Sequence, residues 1–228
     1  MSTQTEIDAH FAALTTDGCN QPVAWLRTAR NLLSGAEAIM TVVNAGRRLI
    51  GHPDVERTAE EDDLVSRSVQ TVGQALMLYA FAIECLFKAV YLKADGVLYV
   101  NGTVNKLSGV SISHDLLQVC DAVGLKDYFD QDQKTVLDRL TLWTEIGRYP
   151  APLKSTRYGH KLLDNGWMYM RGIWSYTDEV TTFRILEALY LRLEEEMPIY
   201  AQILLEAQQN SEDWRSVLQA RLVPQSHE

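Results

Sequence analysis

A basic, aromatic stretch between Arg148 and Arg171 carries the side chains best suited to chemistry in this 228-residue chain. It holds five Lys or Arg residues and one acid, Asp164, which gives a formal charge of +4 within a chain of net charge −9. Guanidinium groups pair bidentately with phosphate oxygens, and flat rings stack on nucleic-acid bases. The stretch therefore predicts a site for a phosphate-bearing ligand. The expected ligand-binding residues are Tyr149, Lys154, Tyr158, Lys161, Trp167 and Arg171.

His160 is the candidate general base of this stretch, with Arg157 and Arg148 as the accompanying cations. Metal-independent RNA cleavage needs a base that takes the proton of a 2′-hydroxyl and a cation that stabilises the phosphorane charge. Histidine suits the first role because it titrates near neutral pH. We therefore predict these three residues as catalytic. The alternative is a loop whose cations offset nearby acids, whose rings fill the core and whose histidine faces solvent.

Glu84 and Lys88 are the only charged residues between Ala75 and Leu92. They are four residues apart, so they lie on one face of a helix. They predict a structural ion pair, because an unpaired buried charge is costly. Glu84 could instead reach Arg148 and anchor the start of the basic stretch. In either case Glu84 should be buried. His114, before Asp115, is expected to serve in local capping and packing, so it joins Glu84 and Lys88 as a supporting residue.

Other chemistries lack their motifs. The chain has no Gly-rich phosphate loop, no Gly-x-Ser-x-Gly, no His-Glu-x-x-His and no His/Cys cluster at ligand spacing, so neither a metal nor a cofactor is expected. Three scattered cysteines, Cys19, Cys85 and Cys120, predict reduced thiols and a cytoplasmic location. The longest apolar run has nine residues, too few for a membrane span, and no signal-peptide pattern opens the chain. The acidic balance disfavours non-specific binding to duplex DNA.

Helical periodicity dominates the elements that must position these residues. Ser175 with Asp178, and Asp130 with Gln133, are typical of capping boxes, and Ser113 is predicted to cap the short helix that starts at His114. Pro198 predicts a kink or break near Met197. The first long helix is predicted from Pro22 to about Leu49, and the second follows the acidic connector over 54–63, with a nearly apolar part over 75–92. Later helices are predicted over 114–123, over 130–146, and from the Ser175 capping box through the apolar residues of 183–204. A terminal helix over 211–222 is followed by a loose tail to residue 228.

The connections are predicted from composition. Residues 1–19 form an N-terminal extension, and 54–63 an acidic connector. The glycine-bearing stretch 96–112 is a loop or short β-hairpin with strands near 97–100 and 110–112. No repeat or linker divides the chain. We therefore predict one domain over 1–228, an all-α antiparallel bundle of four or five core helices with peripheral helices.

Three segments in this order resemble the HEPN superfamily: Ala82-Ile83-Glu84-Cys85-Leu86-Phe87-Lys88, His114-Asp115-Leu116-Leu117 and Gly147-Arg148-Tyr149-Pro150. The resemblance covers about a third of the chain, from Val69 to Pro152. It implies an all-α bundle, commonly dimeric, that in many members is a metal-independent ribonuclease of a toxin–antitoxin or phage-defence system. Active HEPN ribonucleases carry an Arg, four to six other residues and then a His in a late helix. No such spacing precedes His160, while Arg47 and His52 fit it at the end of an early helix.

Two functions follow as expectations. The first is an HEPN-like protein that binds RNA or a nucleotide through the basic stretch, with metal-independent RNA cleavage as its catalytic form. The second is a non-catalytic helical module that partners a separate chain, such as an antitoxin, a nucleotidyltransferase-like protein or another effector. This module would bind its partner through the acidic faces or through the apolar stripe that runs from Phe183 to Leu204, part of which would also form a homodimer.

Overall fold

The computed structural model describes residues 3–50, 56–100, 103–104, 107, 114–146, 160–162, 168–170 and 174–209. Within these ranges the chain forms seven helices and two small antiparallel hairpins, which confirms the predicted all-α bundle. The helices are α1 (Gln4–Cys19), α2 (Pro22–Ile50), α3 (Ala59–Lys93), α4 (Leu116–Ala122), α5 (Gln131–Ile146), α6 (Tyr176–Leu193) and α7 (Ile199–Gln209). The strands are β1 (Tyr99–Val100), β2 (Thr103–Val104), β3 (His160–Leu162) and β4 (Met168–Met170).

The two longest helices, α2 and α3, pack antiparallel along their length. Near the end of α2, a Cβ placed on Gly46 would lie 2.3 Å from Ser68 Oγ, close to the start of α3. Near the start of α2, the Trp25 ring lies 4.6 Å from Lys88 Nζ, close to the end of α3. The absence of a side chain at Gly46 therefore allows the two backbones their close approach.

Helix α5 runs antiparallel to α3. Trp143, near the end of α5, packs at Gly73 in the first half of α3, where an added Cβ would lie 3.0 Å from the indole ring. Phe129, just before α5 begins, meets Phe87 near the end of α3 with ring centroids 6.1 Å apart. The short helix α4 joins this pair through its first turn.

Helix α6 returns antiparallel to α2 and is tied to it at both ends. Arg47 Nη1 lies 3.1 Å from Glu179 Oε2, where α2 ends and α6 begins. Arg30 Nη2 lies 3.0 Å from Glu195 Oε2, where α2 begins and α6 has just ended. Helices α2, α3, α5 and α6 thus alternate in direction and form the bundle.

One contiguous apolar core lies between these helices, and α4 and α7 contribute to it. Its largest fully buried side chains come mainly from α2, α3, α4, α5 and α6. Helix α1 contributes no buried residue. Tyr79 and Phe183 meet edge to face near its centre, with centroids 5.9 Å apart. Burial of such side chains supplies most of the favourable free energy of folding. The central members are Leu33, Met40, Leu76, Tyr79, Ile83, Leu86, Phe87, Leu137, Phe183 and Leu186.

Several predicted helix boundaries are confirmed by their caps. Pro22 opens α2, as expected. The Ser175–Asp178 capping box opens α6, and the Asp130 and Gln133 side chains each bond the other's backbone N–H at the start of α5. The expected break before Pro198 is also present, because α6 ends at Leu193 and α7 begins at Ile199.

The predicted acidic connector over 54–63 is wrong from Ala59 onward. Helix α3 begins there, after a capping box in which Thr58 and Glu61 bond each other's backbone N–H groups. Acids in the first turn are stabilised by the positive end of the helix dipole. The charge run therefore starts the central helix rather than preceding it.

The predicted cap of α4 is also wrong. Asp115, not Ser113, accepts the backbone N–H groups of Leu117 and Gln118, each at 3.1 Å. His114 has a left-handed backbone, φ 77°, and cannot be the first helical residue. Ser113 lies outside the described residues.

A hairpin is present in the 96–112 stretch. Tyr99 pairs with Val104 and Val100 with Thr103, so the partner of β1 is β2. The strand predicted near 110–112 lies outside the described residues. Asn101-Gly102 separates the strands, and this dipeptide is typical of two-residue hairpin loops. Asn20 ties the hairpin to the α1–α2 corner, since its side chain bonds three backbone groups of residues 98 and 99.

Helix α1, in the predicted N-terminal extension, contains no buried residue. It is capped by Thr3 and Glu6, and it carries Ile7, Phe11 and Leu14 as exposed apolar side chains. The spacing of four and three residues places these three on one face. The terminal helix and tail predicted over 211–228 lie outside the described residues.

Among the described residues, α3 alone is long and apolar enough to cross a membrane by length and composition. Its most apolar window has a mean hydropathy of 1.7 and is 67% buried inside the fold. Helices α2, α4, α5 and α6 pack around it, as expected for the central helix of a bundle.

Candidate functional site

Most of the basic stretch predicted to carry the site lies outside the described residues. This is so for two of the predicted catalytic residues, Arg148 and Arg157, and for five of the ligand-binding residues, Tyr149, Lys154, Tyr158, Trp167 and Arg171. His160 and Lys161 are placed as backbone of β3, which pairs with β4 in the register His160 to Met170 and Lys161 to Tyr169. A hairpin within the stretch was not predicted, although Asn165-Gly166 between the strands is a hairpin signal.

The predicted supporting residues Glu84, Lys88 and His114 come together and form a polar cluster in the described part of the chain. Glu84 is buried in the middle of the bundle, as expected. Its Oε1 lies 2.5 Å from Lys88 Nζ, which confirms the ion pair predicted from their spacing. The alternative pairing of Glu84 with Arg148 falls outside the described residues. Both Glu84 oxygens are used, because Oε2 is taken by His114.

His114 lies against Glu84 rather than capping α4. Its Nδ1 is 2.6 Å from Glu84 Oε2, and its ring meets the edge of Phe81 with centroids 5.3 Å apart. The expected packing role is therefore present, whereas the capping role belongs to Asp115. The imidazole keeps 28% of its surface exposed. A left-handed backbone is uncommon outside glycine, and histidine is among the residues enriched there.

The charges of this cluster favour an ionised Glu84. Burial acts to raise the pKa of the carboxyl, but the hydrogen bond from His114 and the charge and hydrogen bond of Lys88 outweigh it, so the pKa lies below its usual value. Lys88 also lies over the Trp25 ring, a cation–π contact that helps to hold the ammonium in place. A buried carboxylate thus faces one ammonium and one imidazole.

Helix α5 anchors the segment that carries His114, and the chain continues from the end of α5 into the basic stretch. Thr141 Oγ accepts the backbone N–H of Leu116 at 3.0 Å, so the first turn of α4 is fixed to α5 just after His114. Ile146, the last residue of α5, lies about 7–8 Å further along the helix axis at 1.5 Å per residue. Arg148 follows two residues later in the sequence. The basic stretch therefore begins from the helix against which the His114 segment is anchored.

A second buried ionic cluster lies at the start of α6 and has a structural explanation. Arg139 pairs with Asp178, whose other oxygen completes the capping box with Ser175. Arg47 pairs with Glu179, and its guanidinium also bonds Asn44. Burial raises the pKa of Glu179 more than Arg47 lowers it. Since Arg47 ties α2 to α6, its spacing to His52, which lies outside the described residues, does not by itself mark a ribonuclease site.

Two of the three described cysteines, Cys85 and Cys120, are poor nucleophiles. Burial raises the pKa of Cys85 to about 11 and that of Cys120 to about 12, so both are protonated at neutral pH. Both of these side chains are buried. Among the described residues, no three His, Cys, Asp or Glu side chains are grouped as they would be to hold a metal ion.

The contact between His114 and Glu84 is the feature that sequence reasoning missed. The two residues are 30 positions apart and belong to different segments. No local spacing reports such a contact. One sequence feature links them: both residues fall in segments that carry the HEPN resemblance.

Comparison with protein-family models, with curated proteins and with solved structures finds no match for this chain. The HEPN resemblance consequently remains a prediction from the three sequence segments.

Proposed function

We propose that this protein is an HEPN-like, RNA- or nucleotide-binding protein of the cytoplasm, with metal-independent RNA cleavage as its activity. The observation that carries the proposal is the cluster of Glu84, His114 and Lys88 at the junction of α3, α4 and α5. It combines an imidazole with a fixed carboxylate, and α5, which anchors the His114 segment through Thr141, continues in sequence towards the basic stretch. A toxin–antitoxin or phage-defence role is part of the proposal through the resemblance alone.

The composition of the basic stretch supports an anionic ligand of limited size. Its charge of +4 contrasts with −13 for the remainder of the chain, since −9 − 4 = −13. A strongly acidic remainder repels extended duplexes, while one confined segment of cations and aromatic rings suits a single strand or a nucleotide.

Salt-dependent RNA binding tests the proposal. A fluorescent single-stranded RNA oligonucleotide is titrated with the full-length protein between 50 and 300 mM NaCl, and log Kd is plotted against log salt. Each lost phosphate contact lowers the slope by about 0.7 for single strands, so the Arg148→Ala, Arg157→Ala double variant should lower it by about 1.4. Arg67→Ala is the control, because that arginine sits in an exposed ion pair with Asp63 on α3. Salt-independent binding, or none, by the wild-type protein contradicts the proposal.

A second candidate function is that of a non-catalytic interaction module, and α1 favours it. A 16-residue helix without a buried residue leaves its apolar face of Ile7, Phe11 and Leu14 uncovered by the rest of the described chain. Such faces commonly mark protein contacts. Sedimentation at several protein concentrations tests whether the contact is with a second copy. If the wild-type protein is a dimer and Phe11→Glu is a monomer, the interaction-module function is supported. A wild-type protein that is monomeric at all concentrations contradicts self-association through α1.

A further inference from the structure

We propose that the apolar face of α1, formed by Ile7, Phe11 and Leu14, docks an amphipathic helix of another protein whose own apolar stripe is flanked by Lys and Arg. The inference rests on the interaction-module function and names the chemistry of the partner. It does not depend on RNA binding.

Helix α1 has little stability of its own. Its 16 residues are close to the length below which isolated helices are marginal in water. Its second half contains Thr15, Thr16 and Gly18, which have low helix propensities. Packing of an apolar face normally supplies the missing stability, but no residue of α1 is buried in the described structure. A partner that covers this face would supply it.

The three apolar side chains of α1 form one exposed stripe. At 3.6 residues per turn they lie within about 60° of one another around the helix axis. Phe11, in the middle, is 62% exposed, and Leu14 is 54% exposed. The stripe extends over about 10 Å at 1.5 Å per residue, which suits the i, i+4, i+7 contacts of a second helix.

Acidic residues border the stripe on both sides. Glu6 and Asp17 lie on one side and Asp8 lies on the other, each about 90–110° from the centre of the stripe around the helix axis. The sequence of α1 contains no Lys or Arg. In paired helices, charges that flank an apolar seam select a partner with the opposite charge at the facing positions. The flanks of α1 therefore favour a basic helix.

The same charges disfavour other occupants of the face. In a symmetric pair of α1 helices, the three acids of one copy would meet the three of the other with no Lys or Arg between them. Anionic lipid surfaces attract amphipathic helices that are rich in Lys and Arg, which α1 lacks. A basic amphipathic helix matches both the apolar stripe and its charges.

The C-terminal end of α1 is anchored to the bundle, so the stripe is presented in a defined orientation. Trp25 Nε1 donates to the carbonyl of Cys19 at 2.8 Å, where α1 meets α2. The next residue, Asn20, bonds the backbone of Leu98 and Tyr99 and fixes the β1 region to the same corner. A partner would thus dock on an element that is already placed.

The experiment selects helices from a display library on the immobilised full-length protein. The library has leucine at heptad positions a and d, and any of Lys, Arg, Glu, Asp and Gln at the flanking positions e and g. Counter-selection uses Phe11→Ala, because alanine has the highest helix propensity and the change removes only the central side chain of the stripe. General attraction of basic peptides to an acidic chain would persist in this variant. Val69→Ala is the matched control, because Val69 is 63% exposed but belongs to α3.

We expect the selected helices to carry Lys or Arg at most of the e and g positions. They should bind Phe11→Ala at least about tenfold more weakly than the wild type, as is common when a central aromatic anchor is removed. Binding to Val69→Ala should be unchanged. The Asp8→Lys, Asp17→Lys double variant keeps the Glu6 cap and should instead select helices with Glu or Asp at these positions, a gain that unfolding cannot produce.

Four outcomes overturn the inference. Selected helices with neutral or acidic flanks, or an unchanged preference in the double variant, exclude a basic partner. Failure to select any helix that distinguishes the wild type from Phe11→Ala excludes helix docking on this face. A wild-type dimer that Phe11→Glu abolishes assigns the face to a second copy, so the interaction-module function stands and the inference fails. Absence of both helix binding and dimerisation through Phe11 removes the interaction-module function as well.

Discussion

Replacing Glu84 by Gln tests the buried ionic cluster directly. The side chain of Glu84 is 7% exposed and that of Lys88 is 22% exposed. The substitution keeps the shape of the side chain but removes the negative charge that pairs with Lys88 and His114. Lys88 then holds a positive charge in a largely buried position beside an amide.

The expected loss in the free energy of unfolding depends on how far Lys88 is buried and on its access to water. Removing one member of a buried pair typically costs about 3–5 kcal/mol, because the other charge is left without compensation. Lys88 is partly exposed and can turn its ammonium towards solvent, so we expect a loss of about 2–3 kcal/mol in the free energy of unfolding. Adding Lys88→Met removes the stranded charge and should recover at least about 1 kcal/mol of this loss.

Urea unfolding at neutral pH, followed by circular dichroism, measures these differences through the midpoint at constant slope. Arg67→Ala is the matched control, because Arg67 and Asp63 form an ion pair of the same spacing on the same helix, with both side chains more than half exposed. That change should cost at most about 1 kcal/mol. A Glu84→Gln variant as stable as the control, or a double variant with the sum of the two single losses, would refute the reasoning.

Three further predictions concern other parts of the fold. Gly46→Ala should destabilise the protein by about 1–3 kcal/mol in urea unfolding, because the new Cβ would lie 2.3 Å from Ser68 Oγ, whereas Gly18→Ala, with open space around it, should be neutral or stabilising. Burial raises the pKa of Glu37 from 4.5 to about 7, so the folded state binds this proton more tightly than the unfolded state. The stabilisation from this proton is complete below pH 4.5 and is lost as the pH rises to about 7. The free energy of unfolding of Glu37→Gln should therefore increase relative to that of the wild type between pH 4.5 and about 7. Parallel stability profiles of the two proteins over this pH range would contradict the prediction. Asn20→Ala should cost about 1–3 kcal/mol and lower amide protection in the β1 region, because three backbone groups lose their partner; unchanged hydrogen exchange there would show that the anchor is dispensable.

The boundaries of the bundle helices could be predicted because their signals are local. Pro22 and the Ser175–Asp178 box act within one helical turn, so their residue types suffice to place α2 and α6. Thr58 and Glu61 carry the same signal for α3, but the surrounding acids equally fit a solvated connector. Negative charge stabilises the first turn of a helix as well as a solvated segment, so charge alone does not distinguish the two.

The candidate site could be predicted only in part because its central contact is not local. The Glu84–Lys88 pair follows from a spacing of four residues on one helix. The partner of the second Glu84 oxygen depends on how α4 lies across α3 and α5, which no sequence period specifies. The position of His114 depends on Thr141 of α5, which fixes the start of α4.

The closure of the bundle by α6 bears on the order in which the chain folds. Helices α2 and α3 are neighbours in sequence and can pair early, whereas the Arg47–Glu179 and Arg30–Glu195 contacts join residues 132 and 165 positions apart. Bringing such distant segments together costs more chain entropy, so non-local contacts tend to form late. Weakening the partly buried Arg47–Glu179 contact should then accelerate unfolding more than it slows refolding, whereas the exposed Arg30–Glu195 pair should contribute little. Arg47 is thus expected to lengthen the lifetime of the folded molecule.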